Sequence, residues 1–216
     1  MVKHFLITRP QYDKETSYMY SFSKPIMAIA KENRSIHVTE LRESNACRKK
    51  VEMALTRTKP RLIFLNGHGD EKSVWGQQDE PILDKDNAAL TKNGIVYALA
   101  CSSLAELGQI AVDEGADAYI GYEREFRWVI DLSRTSSPEK DKNAAPFRRV
   151  CFVLGKNLLS GTSAEESIKR TKEEYEKLIR NYGSSEDYFG DAPLIGLGLS
   201  WDLLFLGMRG NPKAVF

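Results

Sequence analysis

The chain has 216 residues, 42% hydrophobic and 28% charged, with 31 Lys plus Arg against 30 Asp plus Glu. That is an ordinary globular composition, and its charge balance gives no support for nucleic acid or an anionic membrane as the main partner. Three widely spaced cysteines, Cys47, Cys101 and Cys151, argue against a disulfide scaffold and suit a reducing compartment. No stretch approaches the roughly 18 apolar residues of a membrane span. The opening apolar run is too short for a secretory signal. A cytoplasmic protein of one domain, residues 1–216, is the expectation.

Short apolar runs alternate with helical patterns, the signature of a parallel sheet covered on both faces. The first strands are predicted over 4–8 (HFLIT) and 36–41 (IHVTEL). A helix over 45–58 carries Cys47, Val51, Ala54 and Leu55 on one stripe, with Pro60 just beyond it. Strands follow over 61–66 (RLIFLN) and 95–100 (IVYALA), separated by a polar loop over 70–83 that contains Trp75. Their nearly continuous apolar runs mark central strands. A helix over 104–114 follows directly, then a strand over 118–122 (AYIGY). The stretch 126–144 reads as a surface loop, its 133–143 part mobile or a cleavage site. Helices are predicted over 145–159 and 164–182. The second opens on a Ser163/Glu166 capping box and stops at Gly183. A last strand is predicted over 203–208. The fold class is therefore α/β, a three-layer αβα sandwich with a mostly parallel central sheet.

Two strand ends carry candidate chemistry. The 61–66 strand runs into Gly67-His68-Gly69-Asp70, and the 95–100 strand into Cys101-Ser102-Ser103. In open parallel α/β sheets functional groups collect at the carboxyl ends of strands. If these strands are neighbours, His68 and Cys101 face one another. An imidazole beside a thiol can take its proton or stabilise the thiolate. A helix starting at Leu104, capped by Ser102 and Ser103, would add its dipole at Cys101. Such a thiolate should react with iodoacetamide well below pH 8. The N–H groups of Gly69 and Cys101 can donate to a developing oxyanion. Asp70 is placed to orient His68, or merely to solvate its loop. Cys151 reads as core, and His4 and His37 as structural. No spacing suggests a metal site.

The block Leu62-Ile63-Phe64-Leu65-Asn66-Gly67-His68-Gly69, followed by Val96-Tyr97-Ala98-Leu99-Ala100-Cys101, resembles a signature shared by caspases, gingipains, separases and CHAT-domain peptidases. Gly115-Ala116-Asp117-Ala118-Tyr119-Ile120-Gly121-Tyr122, the opening Ile7-Thr8-Arg9-Pro10-Gln11-Tyr12-Asp13, and the closing Trp201-Asp202 with Leu206-Gly207 and Asn211-Pro212 are also similar to prokaryotic members. The resemblance implies a caspase-like fold and a cysteine endopeptidase without metal or organic cofactor. Cys101 would be the nucleophile, His68 the general acid/base, and Gly69 and Cys101 the oxyanion donors. The caspase pentapeptide around the nucleophile is missing, so aspartate specificity does not follow. Asp13, Glu123, Glu125 and Asp131 are the pocket candidates, with Trp128 as a wall. They lean towards a basic residue at the cleaved position, although Arg9, Arg124 and Arg127 lie in the same segments. A protein or peptide substrate and a regulatory protein, in a prokaryotic defence or cell-death setting, are what the resemblance implies. The alternatives are a catalytically silent interaction module on the same fold, or a small-molecule hydrolase or acyltransferase using the same pair.

Overall fold

The computed structural model describes residues 2–183 and 190–216. In chain order its strands are β1 (Lys3–Arg9), β2 (Ile36–Arg42), β3 (Leu62–Asn66), β4 (Ser73–Trp75), β5 (Pro81–Asp84), β6 (Ile95–Leu99), β7 (Ala118–Tyr122) and β8 (Leu206–Gly210). Its helices are α1 (Lys14–Glu32), α2 (Arg48–Thr58), α3 (Leu107–Asp113), α4 (Ala145–Leu159), α5 (Ala164–Gly183) and α6 (Ala192–Phe205). Six strands form the main sheet in the order β2-β1-β3-β6-β7-β8. All its neighbours are parallel except β7 and β8, which run antiparallel.

The period of two along each central strand divides the core. Phe5, Ile7, Leu62, Phe64, Ile95, Tyr97, Ile120 and Tyr122 point to one face, where α1, α4, α5 and α6 cover them. Leu6, Ile63, Leu65, Val96, Ala98 and Tyr119 point to the other, under α2, α3 and the β4–β5 hairpin. This is the expected three-layer αβα sandwich. Among the described residues no helix is long and apolar enough to cross a membrane.

The differences from expectation have local causes. Two helices, α1 and α6, lie where the pattern predicts none. Asp13 caps α1 through a reciprocal box with Thr16, and Tyr18, Phe22, Ile26 and Ala30 make its buried stripe. Leu203–Phe205 closes α6, so the last strand starts only at Leu206. Helix α2 begins at Arg48, with Cys47 as its half-buried capping position rather than a stripe residue. The 70–83 stretch is an antiparallel hairpin rather than a plain loop.

The 126–144 stretch is a loop with two short 3-10 turns, and buried Asp141 anchors it. Its carboxylate accepts from the Tyr18 hydroxyl at 2.6 Å and from the N–H groups of Asp131, Asn143 and Ala144 at 2.9, 2.8 and 3.2 Å. The start of α5 is as expected only in part. Ser163 Oγ accepts from the Glu166 N–H, while the Glu166 carboxylate turns to Arg170.

Candidate functional site

β3 and β6 are adjacent and parallel, with Asn66 opposite Leu99. His68 and Cys101 therefore each lie two residues past a paired position, at the same edge of the sheet. The Gly67 N–H continues the ladder to the Leu99 carbonyl at 3.3 Å. Gly69 sits directly over the other tip: a methyl there would lie 3.0 Å from Ala100 Cβ and 3.2 Å from the Cys101 carbonyl. The β1 end is bolted to the same place. Thr8 Oγ1 accepts from the Asn66 N–H at 3.0 Å, and Asn66 Nδ2 donates to the Thr8 carbonyl at 2.6 Å. Three strand ends thus present Asp13, His68 and Cys101 together.

His68 Nε2 lies 2.7 Å from Asp13 Oδ2. A carboxylate can only accept, so this bond puts the proton on Nε2 and leaves Nδ1 as the basic nitrogen. Desolvation works against the Asp13 carboxylate. Hydrogen bonds from the Thr16 hydroxyl and N–H, together with His68, outweigh it and hold the group below the ordinary aspartate range. Asp13 is thus the partner of His68, not a free acid in a specificity pocket. The Asp-x-x-Thr capping pattern before a helix is the sequence signal that locates it. Asp70 does not orient the imidazole. Its Oδ1 accepts from the Lys72 N–H, the Ser73 N–H and the Ser73 hydroxyl, shaping the hairpin turn. The hairpin also donates the Trp75 N–H to the His68 carbonyl at 2.9 Å.

After Cys101 the chain turns, and the turn is not helical. Residues 101–106 form turns, and α3 starts at Leu107 with no side-chain cap. The expected dipole at Cys101 and the serine caps are therefore absent. Ser102 instead adopts a left-handed φ of 55°, which costs a non-glycine residue on the order of 1–2 kcal/mol. Its N–H donates to the Arg124 carbonyl at 3.1 Å, fastening the turn to the segment after β7. Burial pushes the Cys101 thiol above its ordinary value. The Phe126 N–H pulls the other way, and the nearby Glu125 and Asp202 carboxylates add to the rise. A resting thiolate reactive below pH 8 does not fit this setting. Among the described residues no hydrogen bond joins Cys101 to His68.

Among the described hydrogen bonds, the N–H groups of Gly69 and Cys101 have no acceptor. Those of Asp70 and Trp75, on either side of Gly69, donate within the hairpin. Gly69 and Cys101 both line a depression next to the cavity described below.

His68 and Cys101 line one cavity of about 410 Å³. Met19, Leu99, Ala100, Phe126, Trp128 and Ile130 line it too, with Lys14, Glu15 and Arg127. Trp128 packs against Tyr18, Phe22 and Phe126. Met19, Phe126 and Ile130 were not foreseen, because Pro25 breaks the helical signal of α1 and the 126–130 segment has no regular structure. The other pocket candidates lie elsewhere. Glu123 pairs with Arg209 at 2.8 Å. Asp131 caps its own turn through Ser133. Glu125 faces a more open depression beside Cys101 and pairs with Arg127 at 3.5 Å.

Asp13, Glu15 and His68 each offer one donor atom within 4.8 Å of the others, the one such group among the described residues. A cation taken by Nε2 would displace the proton that His68 shares with Asp13. Cys151 is buried and pushed up to about 12 by burial, as a core thiol would be. His4 and His37 meet edge to face at the far end of the sheet. No protein-family model matches the chain, and no curated protein is significantly similar to it.

Proposed function

We propose that this chain is a cysteine endopeptidase in which Cys101 is the nucleophile, His68 the general acid/base and Asp13 a positioning residue. The reading rests on one observation. A half-buried thiol and a carboxylate-braced imidazole line the same strand-end cavity, and Gly69 and Cys101, whose N–H groups have no described acceptor, line the adjoining depression. Each supplies a part that acyl transfer needs. The resemblance of the His-Gly and Ala-Cys blocks to caspase-fold peptidases points the same way.

The chemistry follows from the resting state. With the thiol held neutral, the proton leaves Sγ for the basic nitrogen of His68 as the sulfur attacks the peptide carbonyl. The C–S bond forms, and the carbonyl π electrons move onto oxygen, where the Gly69 and Cys101 N–H groups receive them. Collapse breaks the C–N bond, and the leaving amine takes the proton from His68. Water activated by the same imidazole then hydrolyses the thioester and frees the thiol.

A peptide library digested by wild-type protein and by Cys101→Ala, read by mass spectrometry, tests this. Peptidyl acyloxymethyl ketones provide a second readout at the sulfur. Defined cleavage sites and a Cys101 adduct are expected for the wild type, and neither for the folded variant. Unchanged turnover by Cys101→Ala removes the reading. So does a wild type that neither cuts nor labels. That second outcome favours a silent interaction module on the same fold, which the raised thiol pKa and the missing Cys101–His68 bond support. Iodoacetamide alone decides nothing, since slow labelling at pH 7 follows from burial in either case.

A further inference from the structure

We infer that the cavity beside Cys101 receives a large apolar side chain, so that the substrates are peptides bearing an aromatic or long aliphatic residue at the cleaved position. This rests on the peptidase reading and specifies its substrate class. The lining carries it. Met19, Leu99, Ala100, Phe126, Trp128 and Ile130 make the lining of the roughly 410 Å³ cavity mostly apolar, and its volume falls in the range of organic-ligand pockets.

The charged side chains that line the cavity, and Asp13 and Arg9 beside it, already have partners. Asp13 is held by His68 and Thr16. Glu15 pairs with Lys14 at 3.3 Å, both at the solvated mouth. Arg127 pairs with Glu125 and stacks over the Trp201 ring at 4.0 Å. Arg9 is engaged by Glu40, Ser23 and the Tyr20 carbonyl. Neither an arginine nor an aspartate entering the cavity would find an unpaired opposite charge at its base. An ion desolvated without a partner is disfavoured there, whereas an apolar group gains from leaving water. Hydrophobic pockets of this kind discriminate by roughly tenfold or more.

The test has two arms. In the first, acyl-peptide aminocoumarins ending in Phe, Leu, Arg, Asp or Ala are turned over by wild-type protein. In the second, peptide amides ending in the same residues bind Cys101→Ala, followed by quenching of tryptophan fluorescence. At least about tenfold better kcat/KM, and tighter binding, for Phe and Leu is expected. Arg or Asp ranking first in both arms, or all five binding alike, overturns the apolar pocket while the peptidase reading stands. No turnover of any substrate, with Phe and Leu still binding best, sinks the peptidase reading and keeps the pocket. Ile130→Glu places a carboxylate in the lining and should move the preference towards Arg in the binding arm. An unchanged ranking in that variant shows that this cavity does not select the side chain.

Discussion

Asp13 has two roles, and they separate chemically. One oxygen caps α1 through Thr16 and the other holds His68. Asparagine caps a helix about as well as aspartate, but it brings no charge to the imidazole. Asp13→Asn should leave the melting temperature nearly unchanged and lower kcat by up to about 10⁴-fold, as when an amide replaces the carboxylate that fixes a catalytic imidazole's tautomer. A matching loss of stability, with kcat intact, would assign Asp13 to the helix alone. Asp202 makes a different case. It is almost fully buried, and burial raises its pKa well above the ordinary value despite the Arg127 N–H it accepts at 2.9 Å. A carboxyl with a raised folded-state pKa contributes stability that is complete below its unfolded value of about 3.9 and is lost as pH rises through the folded value. Asp202→Asn keeps the acceptor for Arg127 and cannot ionise. Any penalty for its buried amide is the same at every pH. The difference in unfolding free energy, variant minus wild type, should therefore grow in favour of the variant as pH rises from 4. A flat difference between pH 4 and 9 would mean that the folded-state pKa of Asp202 is not raised, the carboxylate ionising as it does in the unfolded chain.

Elements make the same argument through glycine. At Gly67 an added methyl would lie 1.9 Å from the Trp75 carbonyl oxygen, so the β4–β5 hairpin closes on the His68 loop only because no side chain stands there. Gly67→Ala should destabilise by about 1–3 kcal/mol through overpacking and displace His68. Gly196, in α6, has nothing nearer than 4.0 Å. Gly196→Ala should stabilise by about 0.5–1 kcal/mol through helix propensity. Urea unfolding of the two variants checks both signs, and equal shifts would remove the packing argument. The same elements show what could be read in advance. The central strands were legible because burial on both faces leaves unbroken runs such as Leu62–Asn66 and Ile95–Leu99. His68 and Cys101 were legible because each directly follows such a run. Helix α1 was not, because Pro25 interrupts it and serines crowd its middle. Helix α6 was not, because it is apolar on nearly every side and leaves Leu194, Leu197 and Leu204 exposed. No 3.6-residue period survives in such a helix. The partner of His68 was hidden for a related reason. Asp13 becomes meaningful only once α1 is seen to begin beside it.

At the scale of the whole molecule, α1 joins the two halves of the candidate site. Its capping residue holds the imidazole. Further along, Met19 lines the cavity and the buried Tyr18 hydroxyl donates to Asp141. Asp141 in turn gathers the 131–144 end of the segment whose Phe126, Trp128 and Ile130 wall the cavity. The base and the wall are thereby tied to one helix. Tyr18→Phe removes one donor from a buried carboxylate and keeps the ring. A loss of about 1.5–3 kcal/mol is expected, as for a hydrogen bond to a charged group. The variant should also be cut faster by trypsin at Arg134, Lys140 and Lys142, which are all exposed, because opening the segment then takes less free energy. Peptide affinity should fall with it, since the wall of the pocket is less ordered. Trypsin rates equal to wild type, together with an unchanged unfolding midpoint, would mean that the three backbone donors to Asp141 suffice and that α1 does not govern the wall.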